Sequence, residues 1–263
     1  MKITLFTANQ NRHNYLVNLL SNNCDELFVV QENRTIFPGI VPGHYPTSEI
    51  MKKYFKNVVN AQFKIFGNSY INGKNKNIHL FPLRSGDLNK CSIETLSDFL
   101  KSDIYVVCGS SYIKGELVDF LIKNKTLNIH IGVSPYYRGT DCNFWALYDG
   151  NPHLVGASIH MLSKGLDSGA MLYHALSQIK NNPFEYTMST VKSAFHSFAD
   201  RVKDQSIFNI KPEIQNKDNE VRYSKKDEFN EDVVKSFLNK QINLNSDKFD
   251  KKLFKDPYIL KSE

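Results

Sequence analysis

The chain is poor in cysteine: Cys24, Cys91, Cys108 and Cys142 are scattered through 263 residues, and no two form a C-x-x-C pair. That spacing argues against a disulfide framework and a structural zinc site, and it fits reduced thiols acting as small hydrophobes in the cytosol. No apolar stretch approaches the roughly 18 residues needed to span a bilayer. A secretory leader is not expected either, because the apolar run Met1–Phe6 is short and polar Asn9, Gln10, Asn11 and Arg12 follow at once. Long runs of one charge sign are also missing. The net charge is +6, but residues 217–263 carry eleven Lys and Arg against ten Asp and Glu. Such mixing describes solvated faces and speaks against nucleic acid as the partner. The excess is enough for a diphosphate or a glutamate tail. With 41% hydrophobic and 23% charged residues, what remains is an ordinary globular composition, expected in the cytoplasm.

Short apolar runs alternate with helical patterns through the first half, as in a parallel α/β sheet. Strands are expected at Lys2–Phe6, Leu27–Val30, Ile78–Phe81, Ile104–Cys108 and Leu127–Ile131. Helices are expected at His13–Leu20 and Gly115–Lys123, with a long amphipathic one between Glu49 and Gly67. Two more strands, Val155–Leu162 and Met171–Ile179, precede a helix from Phe184 to about Phe208. Beyond Pro212 the chain turns polar, with an extended candidate at Glu220–Tyr223 and a helix at Glu231–Lys240. A core over 1–212 and a short C-terminal extension over 213–263 are therefore expected. The turn-rich segment 37–46 and the helix after it read equally as a lid over a substrate or as helix packing between subunits.

Chemistry concentrates between Asn128 and Gly169. Asn128 and His130 stand two apart at a strand end, so both side chains leave one face of the sheet. Ligands of open α/β sheets bind just outside the carboxyl ends of the strands. Asp167 follows 39 residues later in the glycine-flanked loop Gly165–Gly169, where a carboxylate can return to the histidine. These types suit acyl transfer to an amine. Histidine accepts the proton the amine sheds, asparagine donates to the developing oxyanion, and the carboxylate orients the ring. No serine or cysteine stands at a nucleophile elbow, which favours direct attack. The separate types have blander readings: a lone histidine is usually structural, and an aspartate between glycines is usually a turn former.

Taken together, the stretches NIHIGVSPYYRG (128–139), Trp145, VGASIH (155–160) and GLDSG (165–169) resemble the folate-dependent formyltransferase family. The resemblance covers roughly residues 80–200. It implies a Rossmann-like, mostly parallel twisted sheet flanked by helices, with 10-formyltetrahydrofolate as formyl donor and Asn128, His130 and Asp167 as the catalytic trio. DIYVVCGSSYI (103–113) resembles the segment that lines the pterin pocket, which implies donor contacts from Ser111, Tyr112 and Ile113 together with Asp167. Relatives usually carry a serine where this chain has Gly132, and often a cis proline, which points to Pro135.

Among such enzymes the chain is closest in character to sugar N-formyltransferases. The methionyl-tRNA enzymes carry a longer C-terminal domain, and the glycinamide ribonucleotide enzymes carry an N-terminal glycine-rich phosphate loop where this chain has Thr7–His13. The acceptor is then the amine of a dTDP- or UDP-linked sugar in surface-polysaccharide synthesis. Arg12 and His13 at a helix start are candidates for a phosphate. Tyr136, Arg138 and Trp145, with Tyr137 and Phe144, are candidates for a substrate rim, although bracing of the loop and core packing account for them as well. No metal is expected, and a homodimer is. The rivals are another amine acceptor, a non-catalytic ligand-binding relative of the same fold, and, more weakly, a zinc hydrolase built on His130, His153, His160 and His174.

Overall fold

The computed structural model describes residues 1–34, 48–245 and 248–260. The first strand, β1 (Lys2–Ala8), is followed by α1 (Asn11–Ser21), β2 (Glu26–Asn33), α2 (Glu49–Phe66) and β3 (Ile78–Arg84). Next come β4 (Ile104–Cys108), α3 (Gly115–Lys123), β5 (Leu127–His130), the short β6 (Tyr137–Gly139) and α4 (Cys142–Tyr148). β7 (Ala157–Met161), β8 (Met171–Ser177), α5 (Pro183–Lys203), β9 (Arg222–Ser224), α6 (Glu231–Asn239) and β10 (Tyr258–Leu260) complete the order.

Eight strands form one sheet in the order β10-β8-β7-β5-β4-β1-β2-β3. β1 to β5 are mutually parallel, β7 runs antiparallel to both its neighbours, and β10 returns parallel to β8. This is the Rossmann-like, mostly parallel sheet expected. The strand order reverses between β1 and β4, the switch point where such sheets open a crevice at their carboxyl ends.

Alternation along the strands divides the core. Ile3 and Leu5 of β1 pack with Leu16, Leu20, Phe195 and Phe198 of α1 and α5 on one face. Phe6 packs on the other with Leu117 and Leu121 of α3. The helix starts are chemically marked: Ser48 caps α2, Asn182 caps α5 and Asn230 caps α6, each accepting backbone N–H groups that lack helical partners.

β6, α4 and β10 had no strong sequence signal, being three, seven and three residues long. The residues after 212 pack onto the core. Glu213 bridges Met171, β9 pairs with β6, β10 extends the main sheet, and Phe229, Val234, Phe237 and Phe254 complete an apolar cluster with Phe144 and Trp145. The polar composition there belongs to its outer face. The lid candidate 37–46 lies outside the described residues, while the helix after it packs on α5, α6 and α1.

Candidate active site

The carboxyl ends of β1, β4 and β5 open into a cavity of about 890 Å³. The loop after β4 forms one wall, with Ser111, Tyr112 and Ile113 on the lining. Its shape is held from outside: the buried Glu32 carboxylate accepts the N–H groups of Gly86 and Ser111. The Asn89 side chain accepts from Lys114 N and donates to Tyr112 O, fixing the next turn. Ser110–Ile113 therefore line the cavity as a loop braced by Glu32 and Asn89.

Asn128, His130 and Asp167 meet on the opposite wall. Leu127 and Ile129 point into the core, so the alternation of β5 sends Asn128 and His130 to the other face. Asp167 arrives from the loop between β7 and β8 with a left-handed backbone, φ +48°. Gly169 lets this loop close on β7, because a Cβ there would meet Met161 O at 1.7 Å. Gln215 ties the loop down from behind, donating to the carbonyls of Asp167 and Gly169 at 3.0 and 2.6 Å.

Asp167 Oδ1 lies 3.3 Å from His130 Nδ1 and 3.3 Å from Asn128 Nδ2, while Oδ2 accepts the Gly139 N–H at 3.1 Å. His160 joins the trio from β7, directly across from Asn128: its Nε2 is 3.0 Å from Asn128 Nδ2 and 3.8 Å from Asp167 Oδ1. Burial alone would raise the Asp167 carboxyl, but His130, His160 and the Gly139 N–H outweigh it and hold the acid at about 2. Burial dominates at His130 and pulls its pKa below 6.5 despite the opposing charge of Asp167. The pair is thus an ionised acid beside a ring that rests neutral. Each nitrogen of that ring faces an oxygen, Asp167 on one side and the Tyr137 carbonyl at 3.2 Å on the other. A neutral ring donates to one of them, and a protonated ring donates to both. Asp167 and the Tyr137 carbonyl thus offset part of the burial cost of protonating this ring.

Gly132 has no backbone need to be glycine. A Cβ there would lie 2.5 Å from both His130 Nε2 and Cys142 Cβ. The buried Cys142 side chain and the His130 ring together fill the space that a serine at this position would use.

The other candidates separate. Arg12 lines the cavity and donates to Gln62 at 2.9 Å. His13 does not reach it: the ring is buried against Gly109, with 5% of the residue exposed. Trp145, 1% exposed, lies beneath the Arg222 guanidinium in the core, so it forms no rim. Tyr137 is buried beside it, and Phe144 belongs to the same cluster. Tyr136 packs on that cluster and its carbonyl accepts from Val221 and Arg222, away from the cleft. Arg138 donates to Glu220 and to Leu166 O, both at 2.7 Å, so it braces the Asp167 loop. The Ser134–Pro135 bond is cis. His174 is occupied by Ser134 O and Lys255 N, and among the described residues no group of three His, Cys, Asp or Glu could hold a metal ion. Gln10, Arg34 and Lys226 also line the cleft and had no sequence signal.

An open α/β sheet thus carries at its carboxyl ends an Asn-His-Asp cluster whose residue types can do acid–base chemistry. The family described as formyl transferase matches residues 62–206, more than half of the chain, and the chain belongs to that family. It is 36% identical over 95 residues to the methionyl-tRNA formyltransferase of Finegoldia magna, a stretch covering 36% of this chain and 29% of that one. The chain therefore aligns with less than a third of that relative's length. Solved structures share the fold. A sugar N-formyltransferase from a Shewanella species has a TM-score of 0.54 at 15% identity, covering 87% of this chain and 78% of the other. An N-formyltransferase from Helicobacter canadensis, in complex with folinic acid and dTDP-3-aminofucose, has 0.51 at 14% identity, covering 95% and 77%.

Proposed function

We propose that the chain transfers a formyl group from 10-formyltetrahydrofolate to the amine of a nucleotide-linked amino sugar. The observation that carries this reading is the contact of His130 with Asp167 at 3.3 Å, beside Asn128, on one wall of a cleft whose other wall is the loop 110–113. The donor belongs against that loop, which Glu32 and Asn89 brace, and when bound it supplies the carbonyl carbon that the amine attacks. The cations Arg12, Arg34 and Lys226 on the lining suit a glutamate tail or a diphosphate. The Helicobacter enzyme, in complex with folinic acid and dTDP-3-aminofucose, supports this choice of donor and acceptor.

The roles follow from the geometry. His130, kept neutral by burial, takes the proton that the attacking amine releases. Asp167 holds the resulting imidazolium, which gives the proton to the folate nitrogen as the bond between that nitrogen and the formyl carbon breaks and tetrahydrofolate leaves. Asn128 offers Nδ2–H to the oxygen of the carbonyl under attack, exchanging one of its contacts to His160 or Asp167. Asp167 orients the ring and stays ionised throughout.

A His130→Ala variant is expected to lose about 10²–10⁴-fold in kcat/KM while still binding 5-formyltetrahydrofolate in a calorimetric titration. Turnover near the wild-type rate would remove His130 as the base.

A further inference from the structure

The loop that carries Asp167 is held by a stretch beyond the residues shared with the formyl transferase family, which end at 206. Residues 211–220 run over the surface, and all of them are exposed except Gln215. The run is fastened at successive points. Glu213 pairs its backbone with Met171 at the start of β8. Gln215 turns inward, and its Nε2 donates to both Asp167 O and Gly169 O. Glu220 holds Arg138, which donates to Leu166 O. β9 then pairs with β6, and Ser224 lies so close to Gly139 that a Cβ there would meet Ser224 O at 2.0 Å. Gly139 in turn supplies the N–H that Asp167 Oδ2 accepts. Gln215 is a costly residue for a plain tether. Among the described residues nothing donates to its buried Oε1, and an unpaired buried acceptor is destabilising. Asp167 itself has the left-handed backbone that L residues disfavour, φ +48°. Two unfavourable features kept together at one contact point to a geometry being held there.

We infer that Gln215 is a positioning residue for the acid–base pair: it fixes the Asp167 main chain so that the carboxylate meets His130, and the C-terminal segment thereby completes the site. The kinetic consequence rests on the formyl-transfer reading, and the geometric one does not. The His130 ring faces Asp167 from the loop between β7 and β8, His160 from β7 and Arg138 from β6, with Cys142 of α4 beside it. Of these side chains only Asp167 favours the protonated ring, so a carboxylate that drifts away lowers the pKa of His130 further.

The test compares wild type with Gln215→Met, which keeps the shape and loses the donors, and with Gln215→Lys, which restores donors and has no acceptor to strand. Ile214→Ser changes the neighbouring residue, which is 94% exposed. Gln215→Asn, one methylene short, stands in should the methionine variant fail to fold. One readout is kcat and KM for a dTDP- or UDP-linked amino sugar that wild type formylates. The other is the His130 ring titration followed by NMR and assigned with His130→Ala. Gln215→Met should lower kcat about 10–100-fold with the acceptor KM changed by less than about threefold, and should move the His130 titration to lower pH. Gln215→Lys should recover most of both, and Ile214→Ser should change neither. A loss confined to KM, or a His130 titration that stays or rises in Gln215→Met, would overturn the positioning role. Equal losses in the methionine and lysine variants, or in Ile214→Ser, would assign the effect to packing and overturn it too. Should wild type formylate no sugar, the sugar reading falls and the titration decides alone. A shift reversed by lysine upholds the inference, and no shift overturns it.

Discussion

Asp167 and His130 show how burial and charge act in opposite directions on neighbouring groups. The acid is held at about 2 by its partners, and the base is lowered mainly by desolvation. With His130 as the base, the ring must be neutral and so must the attacking amine, so below pH 7.5 kcat/KM should fall only with the amine's own titration and steepen below the depressed pKa of His130. A second protonation, beyond that of the amine, above pH 6.5 would contradict this. Gly132→Ser makes a second prediction at the same scale. The added side chain must displace the His130 ring or Cys142, so kcat should drop at least tenfold and the acid limb of kcat/KM should move, with the melting temperature changing by only a few degrees. An unmoved limb would mean that the ring does not depend on that space. The trio itself was legible, because Asn128 and His130 obey a two-residue alternation and Asp167 sits in a marked turn. His160 was not. It reaches the trio through the antiparallel register of β5 and β7, at a bulge between Ile159 and His160 that re-aims a side chain. No local pattern encodes that register.

Among the elements, those with a long apolar period were readable. The α2 and α5 helices and the buried strand β4 lie close to where periodicity puts them, and β4 matches end to end. The α6 helix was also visible, but its partner was not. Phe237 is 4% exposed and packs on Phe144 at a ring-centroid distance of 4.7 Å, with Tyr54 and Phe184 around it. A charge-balanced segment gave no sign that its apolar stripe closes a cluster with α2, α4 and α5. Replacing Phe237 by alanine is expected to cost about 3–5 kcal/mol of stability, read by urea unfolding. A loss below about 1 kcal/mol would mean that the C-terminal segment adds little to the core. Trp145 and Tyr136 were misplaced for a related reason: aromatic residues after a loop motif look the same whether they rim a site or floor a core.

The whole molecule combines a switch-point cleft with several buried histidines. Burial lowers His13, His130 and His174 below 6.5. Below that pH the unfolded chain takes up protons that the folded chain refuses, so folding stability falls as pH drops. The melting temperature should therefore decline between pH 7 and pH 5, and a flat curve would contradict the burial of these rings.

Formyl transfer by the Asn128-His130-Asp167 cluster is open to direct measurement. The most direct measurement incubates the purified chain with 10-formyltetrahydrofolate and a panel of dTDP- and UDP-linked amino sugars, and weighs the products, with Asn128→Ala in parallel. One sugar should gain a single formyl group with steady turnover, at a rate at least a hundredfold lower in the variant. A panel left unformylated while the folate binds, or an Asn128→Ala rate equal to wild type, would contradict it.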